Sequence, residues 1–463
     1  MACGAVPMTR AFGRRGALRR RAGASPLLSG TTLGNVTDAF SYDTFGEMMT
    51  YAASYDGTSW FSEQVTRDDV GRILTRTETS FGSTTSYAYG YDGAGRLTTV
   101  TRDGSPRASY GYDGNGNRTS RTTTAGTLSG TYDDQDRLLT YGDATYSYTP
   151  NGELASKIDA TGTTMYGYDA FGDLKSVRLP DGTAIEYVID SEGRRIGKKV
   201  DGTLVKGWLY GDRLRVVAET DGSGAVVSRF IYGTRSNVPD SMVKGGVTYR
   251  IISDHLGSPR YAIDTATGTI AWNNAYDEFG AAVGGTPEFI PFGFAGGLYD
   301  AQTGLVHFGA REYDPQVGRW TTKDPLLFWG NARSFYDWTA NIYQYCDGDP
   351  INFFDPSGLE MDSVSRSMQE AIARGDADEI AQILDEAGET LPDKLRAAAQ
   401  KALQRFRSRA KDVISKECKG SINREFPEQL REKTLSDIWK EAREGNKAAQ
   451  TAKKLLSDSR FRK

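Results

Sequence analysis

Tyr91-Asp92-Gly93-Ala94-Gly95-Arg96-Leu97 is one copy of a unit that this chain repeats. Tyr112-Asp113-Gly114-Asn115-Gly116-Asn117-Arg118 and Tyr132-Asp133-Asp134-Gln135-Asp136-Arg137-Leu138 follow at a spacing of about 20 residues. Tyr42-Asp43-Thr44-Phe45-Gly46 precedes them. Looser copies stand at Tyr148-Thr149-Pro150-Asn151-Gly152, Tyr168-Asp169-Ala170-Phe171-Gly172 and Val188-Ile189-Asp190-Ser191-Glu192-Gly193-Arg194. A fixed period marks a repeat architecture, in which each unit buries its apolar face only against its neighbours. Asp-x-x-Gly is turn chemistry: the carboxylate caps its own backbone and the glycine accepts positive φ. The flanks alternate, as in Tyr87-Ala88-Tyr89-Gly90-Tyr91 and Ala184-Ile185-Glu186-Tyr187-Val188-Ile189, and alternation reads as half-buried strand. Each unit is therefore a predicted β-hairpin and the series a long antiparallel ribbon. Its tyrosines are expected in the core and in a cross-strand ladder. Carbohydrate or aromatic-ligand binding is the competing reading of those tyrosines, and no repeat residue is nominated as a site.

Toward the C-terminus the sequence grows denser. Asp254-His255-Leu256-Gly257-Ser258-Pro259-Arg260, Tyr276-Asp277-Glu278-Phe279-Gly280 and Phe292-Gly293-Phe294-Ala295-Gly296-Gly297-Leu298-Tyr299-Asp300 come first. Ala310-Arg311-Glu312-Tyr313-Asp314-Pro315-Gln316-Val317-Gly318-Arg319-Trp320, Asp324-Pro325 and Asn341-Ile342-Tyr343-Gln344-Tyr345 lead on to Asp355-Pro356-Ser357-Gly358-Leu359. There the composition changes from Gly, Tyr and Thr to Ala, Lys, Arg, Glu and Leu with helical spacing. His255 lies in a Gly/Pro turn and reads as a packing histidine; His307, in Leu305-Val306-His307-Phe308, reads as a strand residue.

The 463 residues suggest about three units. The net charge of −4 is unevenly spread. From Glu360 onward 22 lysines and arginines face 19 acidic residues, and from Lys394 onward 20 face 9, which marks a basic tail. Three cysteines (Cys3, Cys346, Cys418) and two histidines argue against a disulfide framework and a zinc site, so no metal or cofactor is expected. No apolar run is long enough to span a bilayer. Arg10, Arg14, Arg15, Arg19, Arg20 and Arg21, broken by Gly and Ala, read as a disordered basic leader or a misassigned start rather than a secretory signal.

The Tyr-Asp-x-x-Gly units resemble the YD repeats of the Rhs family, found also in the C subunits of insecticidal toxin complexes and in teneurins, and the dense block is similar to the Rhs repeat-associated core. The resemblance covers residues 38 to 359. It implies a mainly β fold, a YD-repeat hairpin shell or solenoid followed by a small α-rich C-terminal domain. Expected boundaries are a leader over 1–37, the array over 38–245, the core over 246–359 and a helical toxin domain over 360–463. Family cores cut their own chain after the DPxGL motif with two aspartates acting as in aspartic proteases. The corresponding positions are Asp324 and Asp355, with Leu359–Glu360 as the scissile bond and Arg319 orienting the site. The sequence reads Asp324-Pro325-Leu326-Leu327 where the family reads Asp-Pro-x-Gly, and Phe328 to Trp338 reads as an insertion. Asp349 is a rival partner for Asp355.

The tail alternates helical faces with breaks. Met361 to Leu384 breaks at Gly375-Asp376, a longer helix opens at Pro392-Asp393-Lys394, and two more are expected over about 431–444 and 447–457. It has no His and no Tyr. The remaining toolkit suits metal-free RNA cleavage through the 2′-OH. Glu425 is nominated as base, Arg424 and Lys419 on the phosphate, Ser421 and Asn423 for positioning, and Arg460, Arg462 and Lys463 for substrate binding. A partner-binding helical module and another toxin enzyme, such as an ADP-ribosyltransferase, remain open, while a zinc deaminase lacks its ligands here. The resemblance further implies delivery into a neighbouring bacterial cell, a secretion apparatus or chaperone, and a cognate immunity protein.

Overall fold

In the computed structural model, the structure describes residues 17–20, 28–43, 47–68, 71–235, 237–285, 288–325 and 341–359. In the tail it describes 380–381, 400, 403–404, 407, 426–443 and 446–457. Two compact units result, Met1–Met361 and Asp362–Lys463.

The first unit is mainly β. Twenty-six strands, from β1 (Ala17–Arg20) to β26 (Ala282–Gly285), form one sheet in which consecutive strands pair antiparallel. Four short strands follow as a second sheet: β27 (Leu298–Tyr299), β28 (Val306–Phe308), β29 (Arg311–Asp314) and β30 (Arg319–Trp320). The leader expected through residue 37 is shorter. Residues 28–33 and 36–42 are already paired strands, and Thr31 is buried against the Asp38 carboxylate at 2.8 Å. The pairing also runs unbroken across residue 245, because Gly245 and Gly246 turn between the strands Ser241–Lys244 and Val247–Ser253.

The repeat is legible in its bonds. Asp92 Oδ1 accepts the backbone N–H groups of Ala94 (2.9 Å) and Arg96 (3.0 Å), and its Oδ2 accepts Nε–H of Arg96 at 2.7 Å. Gly95 sits at φ +89°, where a side chain would be strained. The Arg96 guanidinium lies 4.8 Å over the ring of Tyr112, the tyrosine of the next unit, and donates to the Asp113 carbonyl. That tyrosine's hydroxyl donates to the Leu97 carbonyl at 2.9 Å. Arg72 over Tyr91 and Arg194 over Tyr210 repeat the stack, and the hydroxyls of Tyr91, Tyr132, Tyr210 and Tyr232 repeat the back-bond. The strand register shifts at Tyr91, Tyr132, Tyr148, Tyr168 and Tyr210. A bulge adds bend and twist, so each Tyr-Asp corner helps the ribbon to wind.

Winding brings early strands against late ones. Arg260 holds Glu78 bidentately at 2.6 and 2.8 Å, Arg250 pairs with Asp38, and the Tyr55 hydroxyl donates to Ala266 O at 2.6 Å. Tyr51, Phe61, Ile252 and Ile263 form one buried cluster across this seam. Residues 288–325 and 341–359 make a plug along the row of turns. Gln344 donates to Gly116 O, Tyr343 to Gly152 O, and Asn352 to the Tyr91 hydroxyl.

In the second unit the described helices are α1 (Leu435–Arg443) and α2 (Lys447–Ser457). The helix expected from 431 starts at 435, because Thr434 caps it: its hydroxyl accepts N–H of Asp437 and donates to that carboxylate. Asn446 caps α2 through Ala448 and Ala449. No helix among the described residues is long and apolar enough to cross a membrane.

Candidate active site

Asp324 and Asp355 meet on one arginine, and it is Arg311. Its Nη2 lies 3.0 Å from Asp324 Oδ2 and 3.4 Å from Asp355 Oδ2. Its Nε donates to the Gly358 carbonyl at 2.5 Å, and its guanidinium lies 4.2 Å over the Trp320 ring. β29 and β30 pair antiparallel, which sets that ring beneath the arginine.

The segment before the predicted cut is pinned at both ends. Asp355 Oδ1 accepts from Ser357 N (3.1 Å), Ser357 Oγ (3.0 Å) and Gly358 N (2.8 Å). Ala310 N donates to Ser357 O at 2.9 Å. Gly358 has φ +64°, and a Cβ there would lie 2.0 Å from the Phe308 carbonyl oxygen. Only glycine fits that approach. The two carboxylates differ in surroundings: the Asp324 side chain is 24% exposed and that of Asp355 2%. Burial pushes the Asp355 carboxyl above its ordinary value against the pull of Arg311, and nearby Asp324 adds to the rise. One wetter carboxylate beside one that favours its proton is the pairing acid–base chemistry requires.

Arg319, expected to orient the pair, does something else. Its guanidinium lies 4.8 Å over the Tyr132 ring and donates to Asn117 Oδ1 at 2.8 Å and to the Asp136 carbonyl. Asp349 is engaged by Asn352, whose amide reaches both its oxygens at 2.9 and 2.8 Å; burial pushes that carboxyl up to about 6. His255 packs between Glu63 (2.7 Å) and Ile351 O (2.8 Å). His307 lies on β28 with Nδ1 2.7 Å from Glu312, a carboxylate also held by Arg195 at 2.6 Å. Sequence reasoning missed Arg311. The available signal was a buried-strand arginine ahead of two Asp-Pro pairs, which only the hairpin's register turns toward them. Glu360 and the tail candidates Lys419, Ser421, Asn423, Arg424, Glu425, Arg460, Arg462 and Lys463 lie outside the described residues.

The sequence profile of the teneurin YD-shell matches residues 18–351, a span that includes the bonded Tyr-Asp turns described above. The chain belongs to the teneurin YD-shell family. Human teneurin-4 is 28% identical over 328 residues, covering 68% of this chain and 12% of teneurin-4. Double-stranded DNA deaminase toxin A of Burkholderia cenocepacia (strain H111) is 27% identical over 370 residues, covering 71% of this chain and 25% of the toxin. The chain thus spans a quarter or less of these YD-shell relatives. Among solved structures, the TcdB2-TccC3-TEV crystal structure aligns at 17% identity and a TM-score of 0.37, covering 72% of this chain and 21% of that one.

Proposed function

We propose that the chain is an Rhs-type toxin carrier whose β unit holds a C-terminal toxin and frees it by cutting the Leu359–Glu360 bond. One observation carries this reading: Arg311 gathers Asp324, Asp355 and the Gly358 carbonyl, one residue from the proposed cut. Membership of the YD-shell family and likeness to a protein named as a DNA deaminase toxin support the carrier half. In the cut, Asp324 takes a proton from a water whose oxygen attacks the Leu359 carbonyl carbon. Asp355 gives its proton to the departing Glu360 nitrogen, the C–N bond breaks, and a carboxyl and an amine remain. In the full-length chain, Asp355→Asn is expected to leave one uncut band on a denaturing gel where the native chain gives two. Two bands from that variant would reject the assignment.

The freed residues 360–463 act as a ribonuclease in this reading, with Glu425 as base and Arg424 and Lys419 on the phosphate. The basic excess from Lys394 onward supports a polyanionic substrate. A secretion apparatus or chaperone, delivery into a competing bacterium and an immunity protein belong to the same reading. Expression of residues 360–463 in a bacterium is expected to stop growth with RNA fragmentation, lost in Glu425→Ala. Arrest with intact RNA moves the toxin to another enzymatic class, and unimpaired growth favours a partner-binding tail.

A further inference from the structure

Between Asp92 and Asp190 the arginine ladder is incomplete at three units, the last two adjacent and the first set apart from them by the unit of Asp133, which keeps Arg137. The position of Arg96 is held by Asn117, Glu153 and Asp173 in the units opening at Asp113, Thr149 and Asp169. The plug serves the first gap with a cation from outside the array, because Arg319 stacks on Tyr132 as Arg96 stacks on Tyr112, and it bonds a different carbonyl of the next turn, Asp136 O, where Arg96 bonds Asp113 O. At the second, Lys323 lies against Gly152 and Tyr343 donates to its carbonyl.

At the third gap there is a cavity of about 400 Å³. Both halves of the stack are missing there: Asp173 replaces the arginine, and Ile189 replaces the tyrosine it would cover. Asp169 Oδ1 caps its turn through Phe171 N (2.9 Å) and Asp173 N (3.1 Å). Its Oδ2, the atom that takes Arg96 or Arg194 in sister turns, has no bonded cation among the described residues. Asp173 is likewise unpaired, and burial, Asp169 and Glu312 push its carboxyl up to about 6, with Lys175 and Arg195 too weak to reverse them. A second, independent feature lines the same cavity. His307 is 7% exposed, lines the cavity, and makes its hydrogen bond through Nδ1 alone among the described residues. Burial lowers this histidine's basicity, so Nε2 presents a lone pair once Nδ1–H donates to Glu312. Phe171 stands at the rim, 90% exposed, offering an aromatic face.

We propose that this cavity binds the guanidinium of an arginine side chain carried by a partner protein, which completes the broken ladder as Arg319 completes it at Asn117. Planar donors match two carboxylates and an imidazole acceptor, and a flat cation suits the ring at the mouth. Lys175, Arg194 and Arg213 also line the cavity; a guanidinium offsets their repulsion with two parallel hydrogen bonds to one carboxylate, which a compact ammonium does not make.

The test uses the full-length chain with N-acetyl-arginine amide and an arginine-containing tripeptide as probes, read by NMR or calorimetry. Both are expected to bind, with the lysine analogue about tenfold weaker and the neutral citrulline analogue not at all. Asp173→Asn should weaken binding about tenfold. Asp173→Arg should abolish it and raise the melting temperature, since the new side chain can pair with Asp169 as Arg194 pairs with Asp190. Tighter binding of the tripeptide supports a protein ligand; a preference for free arginine or agmatine would overturn the partner and leave a small-molecule site. Equal binding of citrulline, unchanged binding in Asp173→Arg, or no binding of either probe at millimolar concentration would overturn the proposal.

Discussion

The turn at Asp92 and the turn at Asp113 have the same shape and different suppliers. Asp92 is neutralised by Arg96, four residues away, which also covers the next tyrosine. Asp113 finds only Asn117 at that place, at 3.0 Å, and the covering cation arrives from Arg319, 202 residues from Asn117. A self-supplied turn needs nothing but its own unit. A plug-supplied turn ties the repeat array to the segment that carries Arg311 and both aspartates. At Asn117, a departure from the repeat is thus where the array meets its core.

Loss of Arg319 has the largest expected effect. Arg319 is 4% exposed, and in Arg319→Ala the Asp136 carbonyl and the Tyr132 ring lose its guanidinium while Asn117 Oδ1 keeps only Asn341. The expected loss is about 2–3 kcal/mol, from one or two charge-assisted hydrogen bonds and a cation–π contact. Chemical denaturation of the Asp355→Asn background, in which the chain stays whole, measures it. Adding Asn117→Arg should recover about half, because the new guanidinium has Asp113 beside it as Arg96 has Asp92. No recovery would mean that the two turns are not interchangeable.

Asp349 sharpens the same contrast by pH. Its turn belongs to the plug and serves the array through Asn352, which binds Tyr91 OH and accepts Ile73 N–H. Its carboxyl is pushed up from 3.8 to about 6 by burial. A raised folded value means the neutral form is favoured, so this group's stabilisation is complete below about pH 3.8 and lost as pH climbs through 6. Between pH 5 and 7 the group should cost about 1 kcal/mol. Asp349→Asn should flatten that part of the stability profile; an unchanged slope would refute the shift.

Much of the array was legible because its information is local. Asp-x-x-Gly and alternation predict hairpins at Asp92, Asp113 and Asp190, and hairpins are found there. The tyrosine hydroxyl back-bonds and the arginine stacks were not foreseen, since they join residues 14 to 19 apart whose meeting depends on the bulge. The two aspartates proposed for the cut were legible in the sequence, but the arginine that joins them was not. Arg311 and Arg319 lie eight apart on neighbouring strands of one hairpin, and the residues alone do not say which turns toward Asp355. Pairing with Asp314 and stacking on Tyr132 take Arg319 to the array; Trp320 beneath Arg311 leaves that guanidinium for the carboxylates.

The smallest effect belongs to the self-supplied turn. In Arg96→Ala, Asp92 keeps its two backbone N–H donors, and the arginine lost was 20% exposed. Water replaces its bond to Asp113 O, which the plug-supplied site does not permit. A partly exposed ion pair with one cation–π contact is worth about 0.5–1 kcal/mol, half or less of the Arg319 loss. Salt separates them further: screening should shrink the Arg96 effect as ionic strength rises to 1 M and leave the buried Arg319 effect nearly whole. Equal losses, or equal salt dependence, would mean that burial by the plug does not distinguish the two turns, and the division between self-supplied and plug-supplied units would lose its physical basis.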